Sequence, residues 1–151
     1  MFEALKQRFS YVFETVNKYP GAPTIKEVEI SKEHSFELGG KIVIPVEAMH
    51  ANLPVLGFRI DDFAYMTDVK TIDDTEKQKL KGLKVLVINA LREKHHESHL
   101  NIKEALELIE ELQPETTYFT HISHLMGFHE EVEAKLPKHV HLAYDTLKIT
   151  V

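Results

Sequence analysis

Cysteine is absent from these 151 residues. That single absence excludes disulfides, thiolate metal sites and cysteine nucleophiles together, and it agrees with a cytoplasmic location. Long apolar runs are lacking too. None approaches the ~20 residues of a membrane-spanning helix, and the opening MFEALKQRFSYVF has no signal-peptide pattern. Nor is there an excess of positive charge. With 18 Lys and Arg against 24 Asp and Glu, the formal net charge is −6, so no field steers the chain toward nucleic acid or an anionic membrane. Repeats, low-complexity tracts and linkers are also missing. What remains is a soluble globular composition, 43% hydrophobic and 28% charged. The length suits one domain, 1–151, that buries most of its apolar surface. The surplus is histidine, at ten residues, the commonest metal ligand and the usual acid–base group near neutral pH.

Hydrophobic spacing predicts an amphipathic helix from Phe2 to Val16, stopped by YPGAP at 19–23. Strands follow at TIKEVEI (24–30) and KIVIPVEAMH (41–50), with Gly39-Gly40 between them. Ile42, Ile44, Val46, Ala48 and His50 share one parity, which points His50 where the core points. Pro45 marks an edge strand or a bulge. A hairpin is expected over 55–67, turning at Asp61-Asp62, then a short helix in DTEKQKLKG ending at Gly82. LKVLVINAL reads as a strand covered on both faces. Asn101 and Glu104 form a capping box for a helix that stops before Pro114. TTYFTH is another strand, FHEEVEAKLP a short helix begun by His129, and 140–151 a closing hairpin containing Asp145. Strands that alternate with helices and also form hairpins give an α/β fold with a mixed sheet.

Four residues share one kind of position. His50 follows a strand, Asp68 ends one, His99 lies in the loop after one, and His121 ends another. Active-site groups of α/β proteins gather at strand ends, where loops held by a rigid sheet converge. Imidazoles and a carboxylate suit zinc or a similar divalent ion. Singly, each is as well read as a polar residue satisfied at a strand end, and spacing leaves both readings open. His124 reads as a hydrogen-bonding support of His121. His95 and His96 read as solvated loop residues, and the His139–His141 pair as structural.

The stretches 46–68, 85–137 and 140–149 closely resemble the C-terminal half of metallo-β-lactamase-fold hydrolases. The nearest branch is similar to the cyclic phosphodiesterases typified by the enzyme of bacterial phosphonate breakdown, and more distantly to tRNA 3′-processing endonucleases. The resemblance implies half of an αββα sandwich: one mixed sheet with helices on one face. It implies that His50 binds the first of two divalent ions (zinc or manganese), that Asp68 bridges both, and that His121 binds the second. His99 then sits outside the metals, contacts phosphate and assists proton transfer to the leaving group. Such ions lower the pKa of bound water toward ~7 and neutralise phosphate oxygens as charge develops. The implied substrate is a small phosphodiester.

The resemblance also exposes what is missing. The HxHxDH motif of the family's N-terminal half occurs nowhere in the sequence. Weak metal binding or none, and no activity of this chain alone, are therefore expected. A lone half would also bare the inner face of its sheet, which predicts homo-oligomers. The competing reading is a non-catalytic, self-associating interaction module that keeps the half-fold.

Overall fold

A computed structural model describes residues 2–14, 16 and 18–151. Seven strands form one mixed sheet in sequence order: β1 (Phe36–Leu38), β2 (Lys41–His50), β3 (Leu53–Ile60), β4 (Phe63–Met66), β5 (Val85–Asn89), β6 (Thr116–Thr120) and β7 (Val140–Leu142). The first four pair antiparallel and the last four parallel. Two antiparallel steps separate β2 from β4, so β2, β4, β5, β6 and β7 all run the same way. Their C-terminal ends meet at one edge of the sheet.

Five helices and one 3₁₀ turn complete the described residues: α1 (Phe2–Arg8), α2 (Ser10–Phe13), α3 (Asp74–Lys77) with a 3₁₀ turn at Gln78–Leu80, α4 (Ile102–Leu112) and α5 (His129–Glu133). One sheet face carries the core. Val46, Ala48, Met66, Leu86, Ile88, Phe119 and Leu142 cluster there with Ala105, Ile109 and Leu112 of α4 and Val132 of α5. The capping box holds as expected, with Asn101 Oδ1 accepting from the Glu104 N–H at 2.8 Å and Glu104 Oε2 accepting from the Asn101 N–H at 3.0 Å. The opposite face is not bare within the chain, because Val43, Val85 and Val87 are buried.

Pro45 is tolerated for an identifiable reason. β1 pairs β2 only as far as Val43 and the next bridge on that side is Met49–Thr71, so Pro45 lies on an unpaired stretch of the edge. Side chains from α3 and the 3₁₀ turn cover it: buried Glu76 accepts from the Glu47 N–H, and Lys79 donates to the Pro45 carbonyl.

Three expectations need correction. Residues 24–30 form no strand. Ile25 has the opposite parity to Val28 and Ile30, so a strand there would need cover on both faces, and all three are exposed. The helix expected over 2–16 breaks at Phe9 into α1 and α2, with Val16 outside them (residues 15 and 17 lie outside the described set). Only Val12 of these two helices is buried, and helices this short depend on packing for their persistence. The closing hairpin is also absent. β7 pairs parallel with β6, and a turn follows in which the Leu147 N–H donates to the Tyr144 carbonyl. Of its central residues only Thr146 has positive φ, at 73°, which does not match the strand twist that tight hairpins require.

Candidate metal centre

The shared sheet edge brings the expected residues together. His50 is the last residue of β2, Asp68 lies two beyond β4, His121 follows β6, and His99 lies in the loop after β5. A ring nitrogen of His50, a ring nitrogen of His99 and a carboxylate oxygen of Asp68 lie within 4.8 Å of one another. His99 Nε2 is 3.0 Å from Asp68 Oδ1, and His121 Nε2 is 3.5 Å from the same oxygen. The His99 ring stands edge-on to His50 at 4.5 Å and stacks on His121 at 4.7 Å between centroids. His99 is therefore a member of the cluster. Its ring lies between those of His50 and His121.

Local backbone geometry aims these groups. Asp68 and His121 both adopt the left-handed region, at φ 59° and 54°. Non-glycine residues are uncommon there and persist where surrounding structure enforces the conformation. At Asp68 the enforcing group is Asn89, fully buried at the end of β5. Its Oδ1 accepts from the Val69 N–H at 2.7 Å, and its Nδ2 donates to the Val69 carbonyl at 3.0 Å. That carbonyl also accepts from the Leu100 N–H at 2.8 Å, which ties the Asp68 turn to the His99 loop. At β6, the Ala90 N–H donates to the Thr120 carbonyl and the Ser123 N–H to the Leu91 carbonyl, bracketing His121. Sequence reading passed over Asn89. The available signal was a lone amide in an otherwise apolar strand covered on both faces, since a buried amide must find partners.

A second network braces the His99 loop from outside. Lys70 Nζ donates to both Glu104 carboxylate oxygens at 2.9 Å, and His95 Nδ1 lies 3.2 Å from Glu104 Oε1. Burial pushes the Glu104 carboxyl up. The Lys70 ammonium and the Asn101 N–H outweigh that and hold it below its ordinary value.

Electrostatically the cluster favours neutral imidazole at its centre. Burial pushes His99 below its ordinary value, the Asp68 hydrogen bond opposes this, and His121 and His50 reinforce it. A neutral His99 that donates from Nε2 to Asp68 leaves Nδ1 as an acceptor. Facing it are the Ser98 hydroxyl at 3.0 Å and His96 Nδ1 at 3.2 Å. His50 Nε2, in contrast, is buried with no partner among the described residues. Such an orphan costs about 1–3 kcal/mol.

This donor set fits a divalent cation. Two imidazoles and a carboxylate are the ligand types of catalytic zinc, which uses three protein ligands and keeps an open position, and the orphaned His50 nitrogen lacks only something to bind. His124 falls outside the arrangement: it is exposed, and no described residue shares a side-chain hydrogen bond with it, so the expected support of His121 is not made. His129 is the first residue of α5, with Phe128 in the cap position. His141 pairs with Glu133 at 2.8 Å, away from the cluster.

The sequence model of the beta-lactamase superfamily domain matches residues 1–122. The chain belongs to this superfamily. A diphosphatase of the PhnP family is 33% identical over 99% of the chain, with a TM-score of 0.85, and the matched part is 55% of that protein. The metallo-beta-lactamase fold protein YhfI from Bacillus subtilis shares the fold at a TM-score of 0.65 with 15% identity, over 93% of the chain and 59% of its own. The short form of human tRNase Z does so at 0.61 with 16% identity, over 78% and 47%. A Porphyromonas gingivalis (strain ATCC BAA-308 / W83) protein named octanoyltransferase is 35% identical over 152 residues, all of this chain but 31% of that protein. This superfamily chain thus spans about half of the diphosphatase and under a third of the octanoyltransferase. Its α/β architecture, a mixed seven-stranded sheet with helices, is that of roughly half a metallo-β-lactamase-fold chain.

Proposed function

We propose that this chain is the C-terminal share of a metal-dependent phosphodiester hydrolase, inactive until joined to a segment that carries the missing ligands. The supporting observation is the convergence of His50, Asp68, His99 and His121 at one sheet edge, with the His50 Nε2 buried and unpartnered. In this reading His50 and Asp68 would hold one divalent ion, and Asp68 and His121 would contribute to a second. When bound, such ions supply an activated water and charge neutralisation for phosphate oxygens. The chain's own residues do the rest. Asn89 fixes the Asp68 turn, and Asp68 holds the His99 proton at Nε2. His99, flanked by Ser98 and His96, serves a departing alkoxide only when doubly protonated, giving up one proton and returning to the neutral imidazole that its burial favours.

The octanoyltransferase name belongs to a protein of more than three times this length. We read the shared segment as a hydrolase-like part of that protein, because it carries the superfamily match and the His/Asp cluster. Calorimetric zinc titration and hydrolysis of bis-(p-nitrophenyl) phosphate test the proposal. The chain alone is expected to bind zinc weakly and turn over nothing. Fused to the HxHxDH-bearing half of a full-length relative, it is expected to gain turnover that His121→Ala abolishes. Robust hydrolysis by the chain alone would overturn the division of labour, and a fused protein that neither holds zinc nor turns over would overturn the metal reading.

A further inference from the structure

The segment between β5 and α4 folds back on itself, so that His96, Ser98 and His99 converge. Arg92 draws its near side in, with Nε donating to the Lys94 carbonyl at 3.3 Å and Nη2 to the His95 carbonyl at 2.9 Å. The Leu91 N–H donates to the Leu100 carbonyl at 2.9 Å and closes the segment at its base. Inside that closure the Ser98 N–H donates to His96 Nδ1 at 3.3 Å, so this nitrogen is an acceptor and carries no proton. A neutral His99 that donates from Nε2 to Asp68 at 3.0 Å is likewise bare at Nδ1. Two bare nitrogens then face each other at 3.2 Å, and neither can satisfy the other. The Ser98 hydroxyl lies 3.0 Å from His99 Nδ1 and 3.3 Å from His96 Nδ1. Among the described residues it is the one group left to donate to Nδ1 of the buried His99 ring.

We propose that Ser98 is a positioning residue: its hydroxyl donates to His99 Nδ1, which holds the ring in the Nε2–H tautomer and turns that proton toward Asp68. The opposite tautomer can donate from Nδ1 to His96, but it sets a bare Nε2 against the Asp68 carboxylate, two acceptors 3.0 Å apart. A buried acceptor without a donor is costly, and the hydroxyl satisfies Nδ1 without giving that nitrogen a proton of its own. Remove the hydroxyl, and Nδ1 finds a partner only by taking the proton, at the expense of the Asp68 bond. A hydroxyl has lone pairs as well as a proton, so the contact also survives when His99 carries both protons. Ser98 thus acts through His99 and touches no substrate. That His99 serves a leaving group rests on the phosphodiester-hydrolase reading; that Ser98 orients it does not.

The test is the tautomer itself, read from nitrogen-15 long-range correlation spectra of the 151-residue chain labelled at histidine, at a pH above the ordinary histidine pKa. The parent chain is expected to show a proton-bearing Nε2 and a bare Nδ1 at His99. In Ser98→Ala the two ring-nitrogen shifts should draw together as both tautomers become populated. Ser98→Thr, which keeps the hydroxyl, should restore the parent pattern. A parent chain protonated at Nδ1, or an alanine variant with the parent pattern, would overturn the proposal. In the zinc-loaded fusion with the HxHxDH-bearing half, Ser98→Ala is expected to lower kcat roughly tenfold, the scale of one hydrogen bond. KM and zinc content should hold, and Ser98→Thr should recover the rate. An unaltered kcat in an active fusion would also overturn the role. If the tautomer follows Ser98 but the parent fusion is inert, the hydrolase reading fails and the orienting contact stands.

Discussion

The two ends of the metal centre are built differently. At the His50 end the groups are enclosed: His99 is 8% exposed and Asn89 fully buried, and the Asp68 turn is clamped by two hydrogen bonds. At the His121 end the imidazole side chain is 41% exposed, and open space begins beside it. One end is finished by this chain's own packing. The other rests on backbone geometry and the contacts of His121 with His99 and Asp68, and is open on its remaining side, as a site is when it takes further ligands from elsewhere. Enclosure at one end and openness at the other separate what this sequence completes from what it offers.

The contrast is broken most severely at Asn89. Asn89→Ala strips the Val69 N–H of its partner and empties a fully buried position. A loss of about 2–4 kcal/mol follows, read as a lower urea midpoint with unchanged slope. A change under 1 kcal/mol would mean the clamp is incidental. Next comes Gly57, which lies beneath Met66. A methyl group there would run into Met66 Sδ and come within 2.8 Å of the Tyr65 carbonyl. Gly57→Ala is expected to cost about 1–3 kcal/mol and to displace β4, the strand that leads to Asp68. Calorimetric melting of the variant checks it, and an unchanged Tm would show that Met66 yields freely.

Zinc titration sharpens the comparison directly. His50→Ala should weaken binding to the isolated chain by roughly tenfold or more, the range seen even for outer partners of ligands. His121→Ala should do less, because His50 and Asp68 at the enclosed end are untouched by it. The reverse order would place the ion at the open end. The smallest effect concerns Glu104. Its folded-state carboxyl lies below its ordinary value of 4.5, so its contribution is present above that unfolded value and is lost as pH falls through the folded one. Glu104→Gln is expected to cost about 1 kcal/mol or less at neutral pH and to flatten the acid side of the stability profile below 4.5. A profile identical to that of the parent chain would count against the Lys70 pairing.

Much of this was legible before any coordinates. The parity of Ile42 through His50, the Asn101 capping box and the apolar run at 85–89 dictated their elements, since each states a period or a cap. That His50, Asp68, His99 and His121 would lie near one another was legible because strand ends are where α/β folds gather function, and the metal reading itself came from the family resemblance. Three things were not. Residues 24–30 look β-like by composition, but their apolar side chains alternate inconsistently. The fate of 143–151 hung on which turn residue took positive φ, and no threonine announces that. The position of His99 depended on loop closure through Val69 and Leu100, two backbone groups with no side-chain signature.

Strand order carries a last consequence, for time. Each strand pairs with its immediate predecessor in the chain, so the sheet can grow by accretion as residues leave the ribosome, each arrival finding its template already laid down. The antiparallel steps join strands close in sequence, whereas each parallel step must wait for its crossover segment. The centre follows the same schedule. His50 and Asp68 arrive with the hairpins, Asn89 locks them, and His121 joins only when α4 has delivered β6. The enclosed end is the older part of every newly made molecule, and the open end its youngest.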